Sequence, residues 1–169
     1  DQAELAPGMR VLDAGCGIAG PALWLARHRQ VSVAALNISG VQVAEARARV
    51  AAAGMESRVV VTQGDFHRLE ELYPPESFDA VLFLESLVHS DHPQVALASA
   101  QRVLKPGGVL SAKDLFQRDR IPDRRERPRV RFDREERFLL QPLAPRRYTS
   151  LILDRPSAST AAPRSPRPA

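Results

Sequence analysis

The chain has 169 residues, 44% of them hydrophobic, enough for one domain with a real core and too few for two ordinary ones. Its net charge of +4 is unevenly spread: residues 1–117 carry 10 Lys and Arg against 13 Asp and Glu, a net of −3, whereas residues 118–169 carry 14 Arg against 7 acids, a net of +7. The basic character belongs to the tail, so it gives no reason to expect a core that binds nucleic acid.

From Arg10 to Lys113, short apolar runs alternate with helical stretches, as in a βαβ series. Strands are predicted at 10–14 (RVLDA), 31–36 (VSVAAL), 59–63 (VVVTQ), 78–84 (FDAVLFL) and 109–113 (VLSAK). They are short and apolar or β-branched, as buried parallel strands are. Helices are predicted at 21–29, at 40–53 with Ser39 as N-cap, and at 94–103. "KPGG" at 105–108 reads as a helix stop followed by a turn into the last strand. The fold class is α/β, a doubly wound and mainly parallel Rossmann-like sheet with five readable strands. Ligands on such sheets lie at the carboxyl ends of the strands.

Residues 1–117 form the expected core, and 118–169 an Arg- and Pro-rich tail that is partly disordered or an incomplete remainder of the fold. In the tail, "RFDREERFLL" predicts a short helix and "YTSLIL" a short strand, and the last fifteen residues read as disordered. No apolar run approaches the ~20 residues of a membrane span, and no signal peptide is visible. The first residue is Asp rather than Met, as in a piece of a longer chain. A single cysteine, Cys16, makes no internal disulfide and points to a reducing cytoplasm.

The chemistry is concentrated in "VLDAGCGIAGPALWLA" (11–26), where Gly15, Gly17 and Gly20 stand in G-x-G-x-x-G spacing before a helix. Glycines let a backbone approach a ligand, and a helix N-terminus faces it. This spacing also suits a dinucleotide, the cofactor of a nicotinamide-dependent dehydrogenase. Asp13 argues against that: its charge would repel a pyrophosphate and attract an ammonium or a sulfonium. S-adenosyl-L-methionine carries both cations and no phosphate. Asn37 ends the second strand about 20 residues after the loop, where nucleoside sites place a group for the ribose hydroxyls. In "QGDF", Asp65 can accept from an adenine amine, and Phe66 can pack on the ring.

Together with "LNISGVQVAEARARVAAAGM", "FDAVLFLESLVHSDHP" and "RVLKPGG", these motifs resemble the Rossmann-like class I S-adenosylmethionine-dependent methyltransferases. The "GP" after the loop and "ES..H" after the fourth strand are similar to the small-molecule branch, which includes sterol, tocopherol and antibiotic-sugar enzymes. The resemblance covers roughly residues 8–117. It implies that Asp13, Gly15 and Gly17 hold the methionine end, and that Asn37 with Gln42 meets the ribose. Asp65 with Phe66 would meet the adenine, and Glu85 with Ser86 would line the pocket near the methyl group. Ala19 stands where glycine is common in the family, and Asn37 where many relatives have an acid.

Sugar O-methyltransferases of this kind also imply a base, His89, and a partner, Asp114; Val88 replaces a first histidine often found there. The expected reaction is methyl transfer to a hydroxyl or carbon of a small molecule, natural-product-like or lipid-like. The alternative is a truncated or degenerate relative that binds cofactor weakly and is inactive. His28, His67 and His92 read as surface residues without metal-ligand spacing, so no metal is expected. Cys16 reads as packing and Trp24 as core. The acceptor is the expected partner; nucleic acid and a membrane span are not, and a homo-oligomer stays open.

Overall fold

The computed structural model describes residues 5–118 and 143–154. Six strands form one sheet: β1 (Arg10–Ala14), β2 (Ser32–Asn37), β3 (Val59–Gln63), β4 (Phe78–Leu84), β5 (Leu104–Arg118) and β6 (Leu143–Asp154). Their order is β3-β2-β1-β4-β5-β6. β1 to β5 run parallel, and β6 is antiparallel to β5. Helices α1 (Gly20–Arg29), α2 (Gly40–Ala52) and α3 (Pro93–Val103) flank the sheet, with 3₁₀ segments at Phe66–Glu71 and Leu87–His89.

The parallel strands are apolar throughout because both sheet faces are covered. Successive residues of β1 illustrate this: Val11 joins a core with Ala22, Ala26, Val43 and Ala46 of α1 and α2. Leu12 points to the other face and joins Phe78, Phe83, Leu97 and Val103, beside α3. From β1 the chain winds outward through β2 and β3, then crosses back to β4 on the other side of β1. This reversal of winding opens a crevice at the carboxyl ends of β1 and β4.

The predicted bounds of β1, β3 and β4 match those observed. β2 lies one residue later than expected, so Asn37 is a strand residue, paired with Gln63. Ser39 caps α2 as expected, accepting from Gln42 N. α3 begins one residue early, with Pro93 in its first turn.

Two expectations are corrected. "KPGG" is not a turn ahead of the strand but a bulge within it. Leu104 already pairs with Phe78 and Val109 with Ala80, so the intervening residues of β5 bow out against a shorter stretch of β4. Gly107 takes φ +78 there, and a Cβ on Gly108 would lie 2.9 Å from the Asp79 carbonyl oxygen. Trp24 is not core: it is 51% exposed. The inward residues of α1 are Ala22, Leu25 and Ala26, and at about 100° per residue position 24 falls on the far side of that stripe. There it stacks on His28, ring centroids 4.7 Å apart.

The "YTSLIL" strand lies within the longer β6. The helix predicted at 131–140 and the last fifteen residues fall outside the described residues. Among the described residues, no helix is long and apolar enough to cross a membrane.

Candidate functional site

The residues singled out from sequence lie at or beyond the carboxyl ends of the parallel strands: Asp13, Gly15 and Gly17 at β1, Asn37 at β2 with Gln42 in α2, Asp65 and Phe66 after β3, Glu85, Ser86 and His89 after β4, and Asp114 on β5. After β1 the chain makes a tight turn, with the N–H groups of Gly15 and Cys16 both donating to the Leu36 carbonyl at 2.9 Å. Positive φ falls on Gly15 (93°), Gly17 (54°) and Ala19 (63°). Gly20 has no such torsion, and a Cβ there would meet open space. The backbone demand thus sits at 15, 17 and 19, which accounts for the glycine common at position 19 in the resembled family. Ala19 holds the left-handed conformation just before α1, at a strain of order 1 kcal/mol.

Gly15 is required for a second reason. A Cβ there would lie 2.3 Å from the Ser86 Cβ. Ser86, buried at the end of β4, donates its hydroxyl to the Ala14 carbonyl at 2.6 Å. The glycine turn is therefore clamped to the β4 end.

Asp13 is fully buried, and neither carboxyl oxygen has a hydrogen-bond partner. Burial pushes its carboxyl from 3.8 up to about 7. The Cys16 thiol is pushed up to about 12, first by its own burial and then by the nearby Asp13. This cysteine is buried packing, as expected, and far from a reactive thiolate. A buried carboxylate with both oxygens unpaired is costly unless a cation or donor meets it. Such a site fits the ammonium and sulfonium of S-adenosylmethionine and does not fit a pyrophosphate.

Asn37 and Gln42 are brought together as expected. Asn37 Nδ2 donates to the Gly17 carbonyl at 3.1 Å and to Gln42 Oε1 at 2.7 Å, while its Oδ1 accepts from Ser39 N at 3.0 Å. An acid at position 37 would set a carboxylate oxygen against those two acceptors, so here the amide is what joins the glycine turn to α2. Gln42 is exposed at the same corner.

At the end of β3, Asp65 caps the first 3₁₀ segment. Burial pulls its carboxyl upward, but bonds from the His67 main chain and ring, with Arg68 nearby, hold it below the usual value. Phe66 packs edge-on against Phe83 of β4, centroids 5.6 Å apart. His67 is a correction: it is no free surface group but half-buried, with both ring nitrogens bonded. Its link to Asp65 was legible, since an N-cap aspartate accepts from the N–H two residues on; its link to Ser90 is tertiary and left no mark in the sequence. His28 and His92 are exposed. No cluster of three or more His, Cys, Asp or Glu suited to a metal occurs among the described residues.

Beyond β4, Glu85 is exposed with φ 57° and donates its N–H to the Lys113 carbonyl at 2.8 Å. Non-glycine residues in this region are held there by their surroundings and cluster at functional sites. His89 ends the second 3₁₀ segment, exposed. Asp114 is buried, and its Oδ2 accepts from Val88 N at 2.9 Å. That bond holds the main chain of the turn that ends at His89.

A family profile described as a methyltransferase domain matches residues 12–112, which spans every site element from Asp13 to His89. The sterol 24-C-methyltransferase ERG6B of Gibberella zeae is 36% identical over 126 residues, covering 72% of this chain and 33% of that protein. Methyltransferase GfsG of Streptomyces halstedii is 36% identical over 123 residues, covering 73% of this chain and 44% of that protein. The crystal structure of the [4+2]-cyclase SpnF is similar with a TM-score of 0.65 and 35% identity, over 73% of this chain and 45% of that one. The chain therefore spans less than half the length of these relatives. With the sheet order, the clamped glycine turn and the profile in agreement, the chain belongs to the Rossmann-like S-adenosylmethionine-dependent methyltransferases.

Proposed function

We propose that this chain is the cofactor-binding and catalytic core of an enzyme that methylates a hydroxyl or a carbon of a small, natural-product-like or lipid-like molecule. The observation that carries the reading is Asp13, a buried carboxylate without a partner beneath the glycine turn. The sterol 24-C-methyltransferases among its relatives are named for a carbon acceptor, which supports a lipid-like substrate. A degenerate, inactive relative is not favoured: Gly15, Asn37, Asp65 and Ser86 are all in place at the strand ends.

In this reading Asp13, Gly15 and Gly17 hold the methionine end, Asn37 and Gln42 the ribose, and Asp65 with Phe66 the adenine. Glu85 and Ser86 border the methyl group. The cofactor supplies an electrophilic methyl on a sulfonium. An acceptor hydroxyl or carbon that takes this methyl gives up one proton, and in this reading His89 is the base that receives it. Asp114 acts by positioning, because it holds the main chain one residue before His89. Most of the remaining acceleration is alignment of acceptor and methyl group within the crevice.

Calorimetric titration tests the cofactor part. S-adenosylmethionine should bind saturably and NAD should not, and Asp13→Ala should weaken binding at least tenfold, about 1.4 kcal/mol. Binding of NAD, or wild-type affinity in the variant, would refute the role given to Asp13. With an accepted substrate in hand, His89→Ala should lower kcat by roughly 10²–10⁴ without changing cofactor affinity.

A further inference from the structure

We propose that His67 is a positioning residue that couples the cofactor pocket to the acceptor-side loop, through the hydrogen-bonded chain Asp65–His67–Ser90. The inference rests on the roles given above to Asp65 and His89, and nothing in that mechanism uses His67 or Ser90.

Asp65 Oδ1 accepts from the His67 main-chain N–H at 2.9 Å and lies 2.6 Å from the ring Nδ1. An ionised carboxylate can only accept, so Nδ1 carries the ring proton. In the neutral ring Nε2 is then an acceptor and takes the Ser90 hydroxyl at 2.7 Å. Ser90 Oγ in turn accepts from His92 N at 3.2 Å. With the ring neutral, each proton in this chain has one place, which gives the chain a direction. Because Oδ1 takes both His67 bonds, Oδ2 is the oxygen left to face an adenine amine. Rotating Asp65 away from that pose would break two hydrogen bonds at once.

At its other end the chain reaches the residue after His89. The 3₁₀ turn Leu87–His89 is pinned on one side by Asp114, through Val88 N, and on the other by His67, through Ser90. The Asp114 pin leads into the sheet. The His67 pin leads to the strand end that reads the adenine. Phe66 backs the link, its ring 4.7 Å from that of His67 and packed edge-on to Phe83 of β4. A ligand that fixes Asp65 therefore also fixes His67, Ser90 and the turn bearing His89.

Hydrogen exchange of the full chain, with and without S-adenosylhomocysteine as an unreactive ligand, tests this. In the wild type the ligand should slow amide exchange in residues 86–92 by roughly tenfold. Ser90→Ala should keep ligand affinity within about threefold and retain slowing at 36–42, yet lose it at 86–92. His67→Asn, which keeps a donor to Asp65 but is too short to reach Ser90, should behave in the same way. His67→Ala also removes the ring bond to Asp65, leaving it only the main-chain one, and should weaken binding several-fold. Wild-type slowing at 86–92 in the Ser90 and His67 variants would overturn the proposal. So would a wild type that binds the ligand with no change at 86–92, which leaves the cofactor reading standing. A wild type that fails to bind would overturn the cofactor reading, and the coupling with it.

Discussion

The two ends of the central sheet treat the same residue type in opposite ways. At the amino ends of β1 and β4, Asp79 accepts from Arg10 N at 2.8 Å and from Lys105 Nζ at 2.7 Å. Burial raises its carboxyl, but these two donors outweigh burial and hold it below the ordinary 3.8. The Arg10 guanidinium lies over the Phe78 ring, 4.7 Å from its centroid. At the carboxyl end Asp13 has no donor, and its carboxyl rises to about 7. Left-handed non-glycine residues do not separate the two ends: Ala19 and Glu85 sit at the carboxyl end, and Gln30 and Glu76 just before β2 and β4 at the amino end. One end is satisfied and serves stability. The other holds a buried carboxyl without a donor, as a site that awaits a cationic ligand does.

The comparison breaks most sharply at Asp13. Its folded-state carboxyl, near 7, lies above the unfolded 3.8, so the folded chain binds the proton more tightly. Stability is then full below pH 4 and is lost as pH rises towards 7 and beyond, by about 4 kcal/mol for a shift of some three units. Asp13→Asn removes the ionisation. Ligand-free Asp13→Asn should be more stable than wild type at pH 8 by up to that amount, about equal at pH 4, and poorer at binding cofactor. Urea unfolding at the two pH values measures it. Parallel pH profiles would mean that Asp13 has a partner in solution, and the contrast between the sheet ends would collapse.

Gly15 sharpens the same point through shape. An added Cβ meets the Ser86 Cβ at 2.3 Å on backbone that is already left-handed, whereas at Gly17 it meets open space at φ 54°. Gly15→Ala should therefore cost about 3 kcal/mol or more, from overpacking and strain together. Gly17→Ala should cost about 1 kcal/mol, from strain alone. Thermal melts of the two variants separate these contributions; equal losses would mean that the clamp onto β4 is soft.

The strands and the glycine turn were legible because they rest on local signals. Apolar runs five to seven residues long, as in RVLDA and FDAVLFL, have few other uses, and the acid of "VLDAGCG" sorted cofactors by charge alone. Trp24 misled because bulk suggests burial, whereas the helix turns its small residues, Ala22 and Ala26, towards the sheet. "KPGG" misled because a bulge and a turn share the same residues, and only the pairing partner distinguishes them. His67 and Ser90 are 23 positions apart, and their bond depends on how the 3₁₀ segments pack. Asn37 was placed at the right strand end, but its use as a donor to Gly17 and Gln42 needed coordinates.

The smallest expected effect lies at the satisfied end. The partners of Asp79 are partly exposed, so the pair is screened and its loss in Asp79→Asn should cost only about 1 kcal/mol at neutral pH. The sign with pH is opposite to that of Asp13. The folded carboxyl lies below the unfolded 3.8, so its contribution is present above that value and fades as pH falls through the depressed folded value. Wild type and Asp79→Asn should therefore differ at pH 7 and converge in acid, while wild type and Asp13→Asn differ at pH 8 and converge near pH 4. Cofactor affinity should be unmoved by Asp79→Asn, since Asp79 lies at the end of the strands opposite the crevice. Should that affinity fall as it does for Asp13, the two ends of the sheet would be coupled through β1 and β4, and the division between a stabilising end and a binding end would not hold.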